Sequence, residues 1–325
     1  MRCLLNTQTD AAFNLAAEEY LFNTCPEDCF MLWQNRNAII VGRNQNTYSQ
    51  INPAYVKDHG IQVVRRISGG GAVYHDLGNI NFTLIKTHGP SLKVDFKTYT
   101  RPILDFLNTM GVPAILDGRN DLLVEGRKIS GNAQHIHRGK VLHHGTLLFD
   151  VNLETMAEAL QVDPAKYRDK AVKSVRSRVT NIRPYLADTL SVDQFMEQLL
   201  TRVQRENSGG RGRFSRADSA AISTLVTEKY GRWEWNFGES PGYNFCKTAR
   251  TAGGTLEIHL DVTAGCIDAI RIFGDYFGVR SIGELEAALI GCPHSRSAVA
   301  ERIAALPVGD YLHDVPMQEL LAAMF

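Results

Sequence analysis

Three consecutive glycines inside RRISGGGAVYHDLGN, residues 65–79, place the tightest constraint on what this chain can fold into. Each glycine adds backbone freedom that folding must remove, so a triplet between strand-like runs marks a place where backbone comes close to something. Without Cβ atoms several N–H groups can approach one anion, and Arg65 and Arg66 bring guanidinium donors to the same turn. Charge-assisted hydrogen bonds are worth roughly 1.5–3 kcal/mol each, so two or three would hold a phosphate. The same residues also read as a tight sheet corner carrying surface arginines. Neither the G-x-x-x-x-G-K-[ST] phosphate loop nor a G-x-G-x-x-G helix opening accompanies them.

The flanking sequence reads as an α/β (α+β) protein. CFMLWQN, NAIIVGRNQN, IQVVRRISGG and NINFTLI are β-branched and aromatic runs punctuated by Gly and Asn, and they predict strands of a mixed sheet. In the last of them Asn79, Asn81 and Thr83 alternate with Ile80, Phe82 and Leu84, so one face is half exposed or lines a cavity. Asp10 is an N-cap for a helix with Phe13, Ala17, Tyr20 and Leu21 on one face. A second helix spans VDFKTYTRPILDFLNTMGV, with Gly111 at its end and Pro102 in an early turn or at a kink. Hairpins are predicted to turn at Glu125-Gly126 and Arg138-Gly139, and further helices at Glu154–Leu160, Val192–Glu206 and Ser219–Tyr230. ENSGGRGRFSRADS is read as a solvated loop.

Beyond WEWNFGESPGYNF the grain changes to a hairpin, GGTLEIHLDVTAGCIDAIRIFGD, followed by helices at Ile282–Ile290, Ser297–Ala305 and Met317–Met324. A boundary near Pro241 divides the chain into residues 1–240, a large mixed-sheet domain with helices packed on the sheet, and residues 241–325, a small α+β accessory domain. That division suits 325 residues, which exceed what one hydrophobic core usually serves. Lys plus Arg equals Asp plus Glu at 35 each, leaving no global field to attract nucleic acid or an acidic membrane. No apolar leader and no run of ~18 apolar residues occurs, so a cytoplasmic protein is expected, with no membrane and no nucleic acid among its partners. The six cysteines form no CxxC and read as reduced thiols.

Two further stretches carry polar chemistry. In GRNDLLVEGRKISGNA, strand alternation puts Lys128, Ser130 and Asn132 on one face and Ile129 and Ala133 on the other. Lys128 is a solvated turn lysine unless the glycine turn lies beside it. His135, His137, His143 and His144 raise a zinc reading, but His143 and His144 are adjacent and point to opposite faces of a strand. HHGTLLF fits a strand presenting one histidine and the Gly145 backbone to a ligand. KSVRSRVTN, residues 173–181, reads as an anion-closing lid or as a solvated basic loop.

Taken together, RRISGGGAVYHDLGN, GRNDLLVEGRKISGNA, HHGTLLFDVNL and KSVRSRVTN closely resemble the lipoate-protein ligase family, in order and spacing, and WEWNFG resembles that family's link into a C-terminal accessory domain. The resemblance implies the biotin/lipoate ligase-like fold and a two-step reaction. Lipoate and ATP give lipoyl-AMP and pyrophosphate, and the lipoyl group then passes to a lysine of an acceptor domain. It assigns Lys128 to the α-phosphate and the lipoate carboxylate, Arg65 with Gly70 and Gly71 to the lipoate and phosphate path, and Arg66 to the nucleotide. The backbone of Ala72 and Val73 would read adenine beside the Tyr74 ring, where the family often has phenylalanine. His144 and Gly145 would line the acyl pocket, with Trp33 and Leu15 as its apolar wall. Asp121 would hold Mg2+. The implied acceptors are lipoyl domains of 2-oxo acid dehydrogenase E2 subunits and the glycine cleavage H protein, and a monomer is expected. A lipoyl or octanoyl transferase using a preformed acyl-adenylate, or a non-catalytic nucleotide-binding regulator, is the alternative. A cysteine-dependent octanoyltransferase is disfavoured, because no cysteine lies between Cys29 and Cys246.

Overall fold

The computed structural model describes residues 1–325 apart from 46, 48–49, 88–93, 119, 161–178, 188, 238–244, 264–265 and 295. Its strands, in chain order, are β1 (Arg2–Leu5), β2 (Cys29–Trp33), β3 (Ala38–Val41), β4 (Gln62–Arg65), β5 (Val73–His75), β6 (Asn79–Lys86), β7 (Ile115–Asp117), β8 (Asp121–Val124), β9 (Arg127–His137), β10 (Lys140–Leu148), β11 (Gly210–Gly212), β12 (Phe245–Thr251), β13 (Gly254–Thr263) and β14 (Cys266–Gly274). The helices are α1 (Ala11–Thr24), α2 (Pro53–Asp58), α3 (Phe96–Thr109), α4 (Leu153–Ala159), α5 (Val192–Glu206), α6 (Arg216–Leu225), α7 (Trp233–Asn236), α8 (Ile282–Leu289), α9 (Arg296–Ala304), α10 (Val308–Tyr311) and α11 (Met317–Met324). Among the described residues no helix is long and apolar enough to cross a membrane.

One mixed sheet runs β11-β1-β2-β6-β10-β9-β8-β7, parallel across β11, β1 and β2 and antiparallel from β2 onward. A smaller sheet, β4-β3-β5, takes the strands that flank the glycine turn, so the runs expected in one sheet are shared between two. The period-2 pattern of β2 explains why it lies deep inside. Phe30 and Leu32 face the core under α3 and α5, whereas Cys29, Met31 and Trp33 face the core under α1. With both faces covered, β2 reads as a continuous apolar run. In β6 the same alternation has a different outcome: Ile80, Phe82 and Leu84 join the core, and the polar face of Asn79, Asn81 and Thr83 is buried as well. Of that face, Asn81 lines a pocket.

Asp10 caps α1 as its spacing predicts, its carboxylate accepting from the Phe13 N–H at 2.8 Å and relieving one orphan donor of the first turn. The buried face of α1 is wider than its apolar residues indicate, because Asn14 and Glu18 are buried too. Pro102 lies inside α3, not in its first turn, and removes one donor from the helix ladder. Both hairpin turns form where expected, with Glu125 and Gly126 at φ +51° and +74° and Arg138 and Gly139 at +49° and +76°. Two successive positive φ values match the right-handed twist of the flanking strands.

The stretch expected as a loop behaves otherwise. Gly210–Gly212 pairs in parallel with β1 as an edge strand, and Ser215 then opens α6 with a capping box to Asp218. Ladder hydrogen bonds need no apolar side chain, so a glycine-arginine strand leaves no periodicity to detect. β12 was likewise missed, its FCKTART run lacking apolar alternation. In the C-terminal part, β12-β13-β14 form an antiparallel sheet whose Leu256, Ile258, Leu260 and Ile272 pack with Leu285, Leu289, Val299 and Leu320 in a separate core.

Candidate active site

The glycine turn joins β4 to β5 under tight constraint. Gly70 has φ +92°, a region that strains any L side chain, and a Cβ on Gly69 would lie 2.4 Å from the Tyr276 carbonyl oxygen. From the other side, a Cβ on Gly42, just after β3, would lie 1.9 Å from the carbonyl oxygen of Gly70. Backbone against backbone cannot yield cheaply. Gly42→Ala is therefore expected to cost about 1–3 kcal/mol of stability through overpacking, and a thermal melt matching that of the parent protein would contradict the close approach.

The two arginines diverge, as consecutive residues of an extended segment do. Arg66 turns inward and shapes the glycine turn, donating from Nη2 to the carbonyls of Gly69 and Gly71 at 2.7 and 2.8 Å and from Nε to Ser68 Oγ at 3.0 Å. Burial pushes its pKa down to about 10, which leaves it cationic at neutral pH. Arg65, expected along the lipoate and phosphate path, does not line the pocket. Its guanidinium donates to the carbonyls of Gly42, Gln45, Trp235 and Asn236 and to Thr47 Oγ1, so it clamps α7 to the segment after β3.

Lys128, on β9, lines the same pocket. The expected alternation along β9 is broken by a β-bulge, in which Leu123 pairs with Lys128 but Leu122 pairs with Ser130. Directly opposed residues share a face, so Lys128 sides with Leu123, Asp121 and Gly131, whereas Ser130 sides with Leu122 in the core. The ammonium lies 2.9 Å from Asp121 Oδ1, and a Cβ on Gly131 would sit 2.8 Å from Nζ. One pocket is lined by Lys128, Arg66, Gly70, Gly71, Ala72, Val73, His144 and Gly145, with Leu15, Trp33 and Ile40 as apolar wall. Cationic lysine and bare backbone thus face one space.

A buried polar relay supports that wall. Trp33 Nε1 donates to Thr83 Oγ1 at 2.9 Å, and Thr83 donates to Glu18 at 2.5 Å. His144 Nδ1 stands 2.9 Å from the same carboxylate, and its Nε2 stands 2.6 Å from Ser68 Oγ, next to Arg66. Gly145 is required beside it, because a Cβ there would meet Asn132 Oδ1 at 2.3 Å and the Phe82 ring at 2.6 Å. His75 also lines the pocket. Asn35 donates to its Nδ1 at 3.1 Å, which leaves Nε2 as the N–H, and burial pushes its pKa down to about 3. Among the described residues His75 Nε2, Asn81 Nδ2 and Asn132 Oδ1 are buried without a hydrogen-bond partner, and all three residues line this pocket. A fourth such atom, Asn79 Oδ1, does not line it; the three in the pocket leave hydrogen-bonding capacity there for a water or a polar ligand.

Tyr74, expected beside adenine, lies elsewhere. Alternation along β5 sends its ring into the core with Ile39, Val63 and Met156, its hydroxyl donates to Asn37, and burial pushes its pKa up to about 12. The histidines do not converge: His143 is enclosed by Phe82, Phe96 and Tyr99, His144 faces the pocket, and His135 stacks with His137 at 6.2 Å. Of KSVRSRVTN, residues 173–178 lie outside the described residues, but the Thr180 N–H donates to the Lys128 carbonyl at 2.9 Å. Sequence reasoning missed Glu18 and Ser68, whose meaning comes only from distant partners. It reached Asn81 and Asn132 through alternation without assigning them. The segment after β14 touches the same turn, with the Phe277 ring 3.3 Å from a Cβ placed on Gly70 and edge-on to Phe96 at 5.0 Å.

The fold is a large mixed-sheet unit followed by a small α+β unit, and its pocket sets a lysine and bare glycine backbone beside an apolar wall. Residues 10–204 match the lipoyl protein ligase A/B catalytic domain, and residues 240–324 match the bacterial lipoate protein ligase C-terminus. The chain belongs to the lipoyl protein ligase A/B family. It is 40% identical over 322 residues to lipoate-protein ligase LplJ of Bacillus subtilis, with 97% of each chain covered. The crystal structure of P. falciparum LipL1 in complex with lipoate superposes with TM-score 0.80 at 24% identity, covering 99% of this chain and 97% of that one. A lipoate-protein ligase A bound with ATP superposes with TM-score 0.63 at 23% identity, covering 73% and 98%. These two structures share the fold.

Proposed function

We propose that the protein is an ATP-dependent lipoate-protein ligase. The lipoate carboxylate attacks the α-phosphorus of ATP, pyrophosphate leaves with the electron pair of the broken anhydride bond, and lipoyl-AMP remains in the pocket. An acceptor lysine then attacks the acyl carbon, and AMP leaves. The observation that carries this reading is the meeting of the Lys128 ammonium with the glycine turn across one pocket that has an apolar end at Leu15, Trp33 and Ile40. An aliphatic acyl chain suits that end, and phosphoryl oxygens suit the turn. The 40% identity to a relative named as a lipoate-protein ligase supports the same activity.

In this reading Lys128 bridges the carboxylate and the α-phosphate as an electrostatic clamp, and Arg66 holds the turn that presents its N–H groups to the phosphates. The backbone of Gly71, Ala72 and Val73 receives the nucleotide, while His144 and Gly145 form the acyl wall, with Glu18 fixing the imidazole plane. The unpaired Asn81, Asn132 and His75 atoms offer the remaining polar contacts. Mg2+ fits this donor set through Asp121, the carboxylate beside Lys128, because the ion uses one or two carboxylates and completes its shell with phosphate oxygens and water. When bound it would neutralise phosphate charge. Residues 1–240 would supply both substrate sites and residues 241–325 the accessory domain. The enzyme would act in the cytoplasm as a monomer, on lipoyl domains of 2-oxo acid dehydrogenase E2 subunits and glycine cleavage H protein.

The deciding experiment incubates the protein with lipoate, ATP and Mg2+ and follows pyrophosphate. Release dependent on lipoate is expected. Lipoylation from supplied lipoyl-AMP without such release would replace this reading with that of a transferase.

A further inference from the structure

The outer face of the C-terminal sheet carries three metal-ligating side chains that the pocket does not use. β12 and β13 pair with Cys246 opposite His259 and Thr248 opposite Glu257. Thiol and imidazole are therefore cross-strand neighbours, and Glu257, two residues along β13, shares their face. Leu256, Ile258 and Leu260 fill the other face, in the core. Cys246 Sγ lies 3.6 Å from His259 Nε2, which lies 2.5 Å from Glu257 Oε1. The three ligand atoms all lie within 4.8 Å of one another. Phe273 stands edge-on to the imidazole at 5.3 Å and holds its plane.

We infer that Cys246, Glu257 and His259 form a binding site for a divalent ion of the zinc class, with one coordination position open to solvent. The donor set is one sulfur, one nitrogen and one oxygen, which suits zinc and excludes magnesium, an ion that takes oxygen. With Zn–S of about 2.3 Å and Zn–N of about 2.0 Å, tetrahedral geometry separates the two ligand atoms by about 3.5 Å, and the pair already stands at 3.6 Å. The imidazole and carboxylate must open to about 3.3 Å, a change within reach of a glutamate side chain that is 19% exposed. Both neighbours approach the same ring nitrogen, so the ion takes the place of the proton shared there. Cys246 is exposed, which gives the ion an entry path. Because Cys246 stands second in β12, binding cross-links β12 to β13 and stabilises the folded sheet by mass action.

The test adds Co2+ to chelator-treated full-length protein and reads the near-ultraviolet thiolate-to-cobalt absorption. One equivalent should saturate the band, and Zn2+ should displace it. Cys246→Ser should abolish it while Cys266→Ser leaves it intact, a pair that is diagnostic because Cys266 is the remaining cysteine that is not buried, Cys3, Cys25, Cys29 and Cys292 all being buried. His259→Ala should weaken binding by roughly tenfold or more, and Zn2+ should raise the melting temperature of the parent protein but not of Cys246→Ser. No band at one equivalent, or a band that survives Cys246→Ser, overturns the proposal. Pyrophosphate release is read separately and is expected to be unchanged in Cys246→Ser, so failure of this site and failure of the ligase reading remain distinguishable.

Discussion

Lys128→Ala should lower lipoate-dependent pyrophosphate release by about 10²- to 10³-fold, the loss of roughly 2.7–4 kcal/mol that follows removal of one preorganised donor from developing phosphoryl charge. The melting temperature should hardly move. Lys128 and Asp121 are each about one-third exposed, and a partly solvated ion pair contributes little to stability. A catalytic loss that leaves the fold intact is what separates an electrostatic clamp from a structural lysine. Lys128→Arg should not restore the rate, because a planar guanidinium cannot put a compact charge over Gly131, where Nζ already fills the space a Cβ would take. Turnover within a few-fold of the parent enzyme in Lys128→Ala would remove this residue from the mechanism. The acyl-adenylate can be tracked directly, since lipoylation of an acceptor from supplied lipoyl-AMP should suffer less than its formation.

Which parts of this site were legible in sequence follows from the physics of each element. Local signals were read correctly: Asp10 as a cap, the positive-φ turns at Glu125-Gly126 and Arg138-Gly139, and the alternation that marks β6. The glycine triplet was informative because bare backbone has a cost, and the close approaches of Gly42 and Tyr276 show where that cost is met. The failures concern direction and partnership. Arg65 and Tyr74 stand beside pocket residues in sequence yet project away from them. The bulge at Lys128–Ser130 reverses a face that strict alternation assigns, and nothing in ISGNA announces it. Glu18 looks like one of two solvated acids on a helix. Only the fold brings it to His144 and Thr83, across 126 and 65 residues. β11 was invisible for the opposite reason, since its contribution is entirely backbone.

Acidification from pH 7.5 to pH 5.0 should destabilise the protein by several kcal/mol, measured as a fall in the free energy of urea unfolding. His75 and His143 are buried, and desolvation pushes both pKa values down to about 3, with the charges near His75 acting in the same direction. The unfolded chain binds a proton at each near pH 6.5, so below that pH it holds more protons than the folded chain does. Stability from these groups is complete above about 6.5 and falls as pH drops toward 3, at up to about 1.4 kcal/mol per unit for each. At pH 5.0 that amounts to roughly 2 kcal/mol per histidine. Glu286 works the other way, since burial raises its pKa and acid relieves that cost. A substitution isolates the histidine share. His143 sits among Phe82, Phe96 and Tyr99 with its Nδ1 3.1 Å from Gln134 Nε2, away from the pocket. His143→Gln should lower stability at pH 7.5 while flattening the dependence between pH 7.5 and 5.0 by about one histidine's worth. An unchanged slope in that variant would mean that His143 takes up its proton in the folded protein, contrary to its enclosure by three aromatic rings. The same burial lowers the His75 pKa beside the pocket, so in the proposed reaction its Nε2–H would serve as a hydrogen-bond donor while Lys128 and Arg66 would carry the positive charge.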